Sequence, residues 1–206
     1  MSTDRFKSLL LFGPPGIGKG TQGALLGAIP GFKHLATGDI FRSLDRNSAL
    51  GQEFLKYSTK GLLVPDELTM RLWREYVDSL IEHDQYNPAT EVLVLDGIPR
   101  SRVQAKAIIE HIDVLGIIAL RCPDLDVIVK RLGRRAIQQG RPDDADEAVI
   151  RRRFGVFADQ TTPVLECFDD DLIHEINAVQ RPANVLRDVL AVILPYVDGE
   201  FKDALE

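Results

Sequence analysis

Cysteine is almost absent from this chain. Cys122 and Cys167 are the only two, they lie far apart, and their spacing suits no metal. Neither a disulfide framework nor a thiolate zinc site can organise such a sequence, and two reduced thiols in a cytosolic protein is the expectation. Long apolar runs are missing too. None approaches the roughly 18 residues that a bilayer span requires, and the opening Met-Ser-Thr-Asp-Arg lacks the basic-then-apolar order of a signal peptide. The sequence therefore predicts a soluble, cytoplasmic protein with no membrane attachment. The third absence is a surplus of positive charge. With 25 Lys and Arg against 31 Asp and Glu the net charge is −6, which argues against a dedicated nucleic-acid surface. Many of the arginines nevertheless fall between Arg121 and Arg153, and a locally positive cleft in an acidic protein suits a small polyanion.

What is present is ordinary globular material, 206 residues with 45% hydrophobic and 27% charged content. That is enough for one α/β core carrying small inserts. Its most informative stretch is Gly13-Pro14-Pro15-Gly16-Ile17-Gly18-Lys19-Gly20-Thr21. The apolar run Ser8–Phe12 ahead of it reads as a buried strand, and Thr21–Ala28 behind it reads as a helix. Strand, glycine-rich loop and helix together form the setting of a phosphate-binding loop. Backbone N–H groups converge there, the helix N-terminus adds partial positive charge, and Lys19 reaches the β- and γ-phosphates. Gly20 stands between Lys19 and Thr21, where Ser or Thr usually follows the lysine directly. The loop predicts binding of a nucleoside triphosphate.

Four more apolar runs follow: Phe32–Ala36, Val92–Leu95, Gly116–Leu120 and Leu172–Ile176. Helical patterns separate them, notably Leu68–Ile81, Val103–Ile112 and Asp124–Arg135. Alternating strands and helices predict a five-stranded, doubly wound parallel sheet. Val92–Leu95 is apolar on both faces, as a central strand should be. Two stretches fall outside this pattern. Residues 37–65 look helical and more polar, with breaks at Gly51 and Gly61, and residues 136–148 read as a polar loop; insertions of this kind commonly carry lids and substrate clamps.

Further motifs sit at the strand ends. Thr37-Gly38-Asp39-Ile40-Phe41-Arg42 follows the second strand. Leu95-Asp96-Gly97-Ile98-Pro99-Arg100 follows the third, with Gln104 four residues beyond. Asp96 is placed where a carboxylate can hold Mg²⁺ through its water shell. Arg131 and Arg135 share one helical face, beside an apolar stripe of Leu125, Ile128 and Leu132. Arg141 and Arg153 bracket the second insertion. The four histidines form no catalytic constellation, and His34 reads as a core or edge-strand residue.

At this point the chain resembles the adenylate kinase family, within the nucleoside monophosphate kinases. The resemblance rests on GPPGIGKGTQ, HLATGDIFR, GLLVPDEL, LDGIPRSRVQA, KRLGRR and GRPDD, in family order over nearly the whole sequence. It implies Mg-dependent reversible transfer between ATP and AMP, giving two ADP, in a monomer whose ligands are small nucleotides. It implies that Gly13–Thr21 holds ATP, that Arg131 lies over the donor adenine, and that Arg135, Arg141 and Arg153 close on the transferring phosphoryl. Arg42 and Arg100 would grip the acceptor phosphate, Thr37 and Gln104 the acceptor adenine. Gly38, Gly61, Leu62, Leu63, Val64 and Gly97 would line the acceptor pocket, and Asp143 and Asp144 would help hold the lid shut.

Three departures from the family pattern stand out. Ile98 replaces a usual Phe, which predicts looser contact beside the acceptor pocket. The segment after Asp144 is one residue longer, so the lid arginine is Arg152 or Arg153; Arg153 borders the apolar face formed by Ile150, Phe154 and Phe157 and is preferred. The lid is short and lacks cysteines, so no zinc is expected. The competing readings are a kinase of the same fold acting on UMP or CMP, and a nucleotide-sensing module without catalysis. Thr37 and Gln104 favour adenine, and the arginine set favours catalysis.

Overall fold

The computed structural model describes residues 5–139 and 146–197. Among them, β1 (Phe6–Phe12), β2 (Phe32–Ala36), β3 (Val92–Asp96), β4 (Ile112–Arg121) and β5 (Ile173–Asn177) form one sheet in the order β2-β3-β1-β4-β5. Every neighbouring pair is parallel. The two-residue period of the strands sorts their side chains into two cores. Leu9, Leu11, Val94, Ile118 and Leu120 face a layer built by α1 (Lys19–Leu26), α6 (Leu125–Gln139), α7 (Glu147–Val156) and α8 (Pro182–Val197). Leu10, Phe12, Leu93, Leu95 and Ile117 face the other way, against Trp73, Val77 and Leu80 of α4 (Asp66–Glu82) and Ala105 and Ile108 of α5 (Arg102–Ile108). Each fully buried Leu or Val contributes roughly 1.5–3 kcal/mol, so the unbroken apolar runs of β1 and β3 commit them to the centre.

From β1 the chain goes out to edge strand β2, returns to β3 beside β1, and then crosses to β4 and β5 on the other side. The connections that leave β1 and β3 run in opposite directions, so the carboxyl ends of these two neighbours open the crevice where sheets of this kind bind ligands. Between β2 and β3 the chain adds α2 (Thr37–Ser43) and α3 (Ala49–Ser58) before α4.

Several local expectations change. Gly51 does not break a helix; it lies inside α3, where a Cβ would stand 2.1 Å from the Asp45 carbonyl oxygen. The break is at residues 44–48, and Ser48 caps α3 by accepting from the Gly51 N–H. The expected helix through Ile112 ends at Ile108, because Ile112 already pairs beside Phe6 in β4. The register slips between Ser8 and Leu9, so Leu9 stands opposite Gly116, a glycine at a strand irregularity. Residues 136–139 belong to α6 rather than to a loop. Leu125 opens that helix 43% exposed, leaving Ile128 and Leu132 as its buried stripe. Ile98 is 1% exposed and packs in the core with Trp73 and Leu95, so it does not border the cavity as expected.

Candidate active site

The phosphate loop is built by close packing from below. Gly16 sits on α6, and a Cβ there would lie 2.5 Å from Leu132 Cγ. Gly18, at φ 118°, is the N-cap of α1 and leaves the helix without a side-chain cap. The first N–H groups of α1 thus keep no intrahelical partner and face open space, the arrangement that attracts anions. Lys19 folds back and donates from Nζ to the Gly13 and Pro14 carbonyls at 2.7 and 3.1 Å. Burial lowers its pKa to about 8; Arg100, Arg153 and Arg135 push the same way, and Asp96 opposes them. Asp96 ends β3, its carboxylate 3.5 Å from where a Cβ on Gly20 would stand.

Two cavities meet at this loop. One is lined by Thr37, Gly38, Gly61–Val64, Gly97 and Gln104, with Phe41, Phe54 and Phe157 as aromatic walls. The other runs along Pro15–Gln22 to Asp96, Arg131, Arg135 and the start of α8. Lys19, Arg42, Arg100 and Arg153 line both. Four cations therefore stand at the junction, Lys19, Arg42 and Arg153 on helices and Arg100 on the loop after β3. The Arg100 Nε donates to the Gly97 carbonyl at 2.7 Å, and its side chain packs where Gly97 has no Cβ. Arg42 pairs with Asp39 at 2.5 Å on α2. Arg153 lies on α7 with its Cγ 3.0 Å from a Cβ position on Gly61. Arg152 is exposed and donates to the Lys60 carbonyl at 3.4 Å.

The residues singled out by sequence distribute as follows. Thr37 and Gln104 are both buried in the first cavity, and Thr37 Oγ1 has no hydrogen-bond partner among the described residues. Gly13 lines the first cavity rather than the second, and Pro14 lines neither. Arg141, Asp143 and Asp144 lie outside the described residues. His34 stands in edge strand β2 against α1, its pKa lowered by burial. Sequence reasoning missed Gln180, Pro182 and Val185, which close the far end of the second cavity; they carry no motif, and only the return of α8 beside α1 brings them there. It also missed Asp66, which holds Gln104. Among the described residues no helix is long and apolar enough to cross a membrane.

A phosphate loop at the switch point of a parallel sheet, opening into two cavities with a shared cationic wall, defines the phosphate-loop nucleoside monophosphate kinase fold. The comparisons narrow this class. A family model described as adenylate kinase matches residues 11–173. Curated relatives named adenylate kinase include one from Mycolicibacterium smegmatis, 39% identical over 90% of this chain and 98% of its own. One from Leptospira biflexa is 34% identical over 91% of this chain and 100% of its own, and one from Cyanothece sp. is 38% identical over 78% and 80%. The chain belongs to the adenylate kinase family, and it is a phosphotransferase.

Proposed function

We propose that this protein catalyses reversible transfer of a phosphoryl group between Mg·ATP and AMP, giving two ADP, by direct in-line displacement. The observation that carries the reading is the junction of the two cavities at Lys19, Arg42, Arg100 and Arg153. ATP occupies the cavity along the phosphate loop, its base toward Arg131 and the start of α8, and AMP occupies the other.

The acceptor is a phosphate oxygen, whose second pKa of about 6 leaves it ionised near neutrality, so no general base is needed. Catalysis is positioning and charge neutralisation. Lys19 leaves the loop carbonyls for the β- and γ-phosphates. Arg42 and Arg100 orient the acceptor phosphate, while Arg135 and Arg153 neutralise charge on the moving phosphoryl, with Arg141 joining from the lid. Thr37, whose buried hydroxyl has no partner among the described residues, and Gln104 select the base. The Asp96 carboxylate beside the first turn of α1 fits a water-coordinated Mg²⁺, which when bound would neutralise charge on the β- and γ-phosphates.

In this reading residues 37–65 form the acceptor-binding insertion and residues 136–148 the lid, which shuts water out while both nucleotides are held. A cytoplasmic monomer without zinc completes it, supported by two free cysteines and by exposed large apolar side chains scattered over several elements. The test is an acceptor panel of AMP, UMP, CMP and GMP with ATP as donor. AMP should be fastest; faster turnover of UMP or CMP would overturn the adenine assignment.

A further inference from the structure

Gln104 lines the acceptor cavity and belongs to a polar network that phosphoryl transfer does not use. Gln104, 1% exposed, accepts at Oε1 from the Arg100 backbone N–H at 2.7 Å and donates from Nε2 to Asp66 Oδ1 at 2.8 Å. Ser101 Oγ donates to the same Asp66 oxygen at 2.8 Å while accepting from the Gln104 backbone N–H at 3.1 Å. A backbone N–H can only donate and a carboxylate can only accept. The amide of Gln104 therefore has one allowed orientation. Flipping it would set Oε1 against the carboxylate and the NH₂ group against the Arg100 N–H, two repulsive contacts in a buried place.

The fixed amide keeps one N–H and one lone pair for a ligand. A 6-aminopurine matches this pair, because its amino group donates and the adjacent ring nitrogen accepts. A 6-oxopurine presents a carbonyl acceptor where the amino donor was, and it matches only the flipped amide. Asp66 opens α4 and Gln104 lies on α5, so the lock joins two helices that pack together on one face of the sheet.

We infer that Asp66 is a positioning residue that locks the Gln104 amide and thereby makes the acceptor cavity select 6-aminopurine over 6-oxopurine nucleotides. The inference rests on the AMP reading above. Replacing the carboxylate by an amide, which can donate as well as accept, removes one of the two penalties for flipping.

The experiment measures kcat/KM for AMP and for IMP, with ATP fixed, in wild type, Asp66→Asn, Gln104→Ala and the double variant, each checked by thermal melting. The AMP-to-IMP ratio should fall roughly tenfold in Asp66→Asn, the loss of about one charge-assisted hydrogen bond of discrimination. In the Gln104→Ala background the same change should leave the ratio where Gln104→Ala alone puts it. If Asp66→Asn does not fold, Asp66→Ala serves, with an equal or larger fall expected. An unchanged ratio in a folded Asp66 variant, or a further fall in the double variant, overturns the inference while AMP preference in wild type keeps the functional reading. A wild type that does not prefer AMP over IMP overturns both.

Discussion

Raising the pH toward 9 should weaken ATP binding through a single lysine. In the nucleotide-free protein, burial and three arginines hold Lys19 at a pKa of about 8, against an ordinary 10.5. Roughly nine molecules in ten carry this proton at pH 7, and about one in ten at pH 9. A polyphosphate against Nζ opposes both causes and returns the pKa toward its ordinary value. Binding at pH 9 should then take up ~0.9 proton, against ~0.1 at pH 7, and the affinity should fall about tenfold between the two. The phosphates of ATP are themselves ionised by pH 9 and contribute little. Isothermal titration calorimetry at pH 9, in two buffers of different ionisation enthalpy, reads the proton number directly. Lys19→Met should abolish the uptake without unfolding the loop, whose geometry rests on its glycines and on α6. Heat independent of buffer at pH 9, or uptake that survives Lys19→Met, would refute the reasoning. The same lowered pKa acts on folding. Between about pH 8 and 10.5 the unfolded chain holds the Lys19 proton that the folded chain has lost, so this residue makes stability rise with pH across that window.

Arg100→Ala should raise KM for AMP roughly 10- to 150-fold, the equivalent of about 1.5–3 kcal/mol for a hydrogen bond to a charged group, with a smaller effect on ATP; Arg42→Ala should cost less, because Arg42 must first leave Asp39. Equal effects on both substrates would refute the acceptor assignment. Arg153→Ala should lower kcat by roughly 10³-fold or more, while Arg152→Ala, at an exposed position, should change it only a few-fold; the reverse order in steady-state assays would make Arg152 the lid residue. Gly16→Ala should cost more than about 1–3 kcal/mol in denaturant unfolding, since its Cβ would stand 2.5 Å from Leu132 Cγ and φ is +79°; an unchanged midpoint would mean that α6 yields freely.

The sheet was legible because burial on both faces leaves no choice of residue type: Leu9–Phe12 and Val92–Leu95 can only be central strands. Helix ends were less legible because they depend on partners distant in sequence. Nothing local says that Ile112 will pair beside Phe6, or that Gly51 exists to let residues 45 and 46 approach. The site divides in the same way. The phosphate loop and the strand-end motifs are contiguous, so their chemistry shows in the sequence, whereas Asp66 and Gln104 stand 38 residues apart and meet only once α4 and α5 dock. Leu125 misled because an apolar residue at a helix start fits the stripe by spacing and yet stands 43% exposed.

The central claim is that two nucleotides are held at once and the phosphoryl passes straight between them across the wall formed by Lys19 and the arginines. ATP labelled in its γ-phosphate tests this directly, incubated with the protein with and without AMP, with both protein and nucleotides analysed for label. With AMP present, the label should appear in the β-phosphate of the ADP made from AMP; without AMP, and with no ADP added, no label should reach the protein. Labelled protein, or ADP made from AMP that carries no label, would contradict the account.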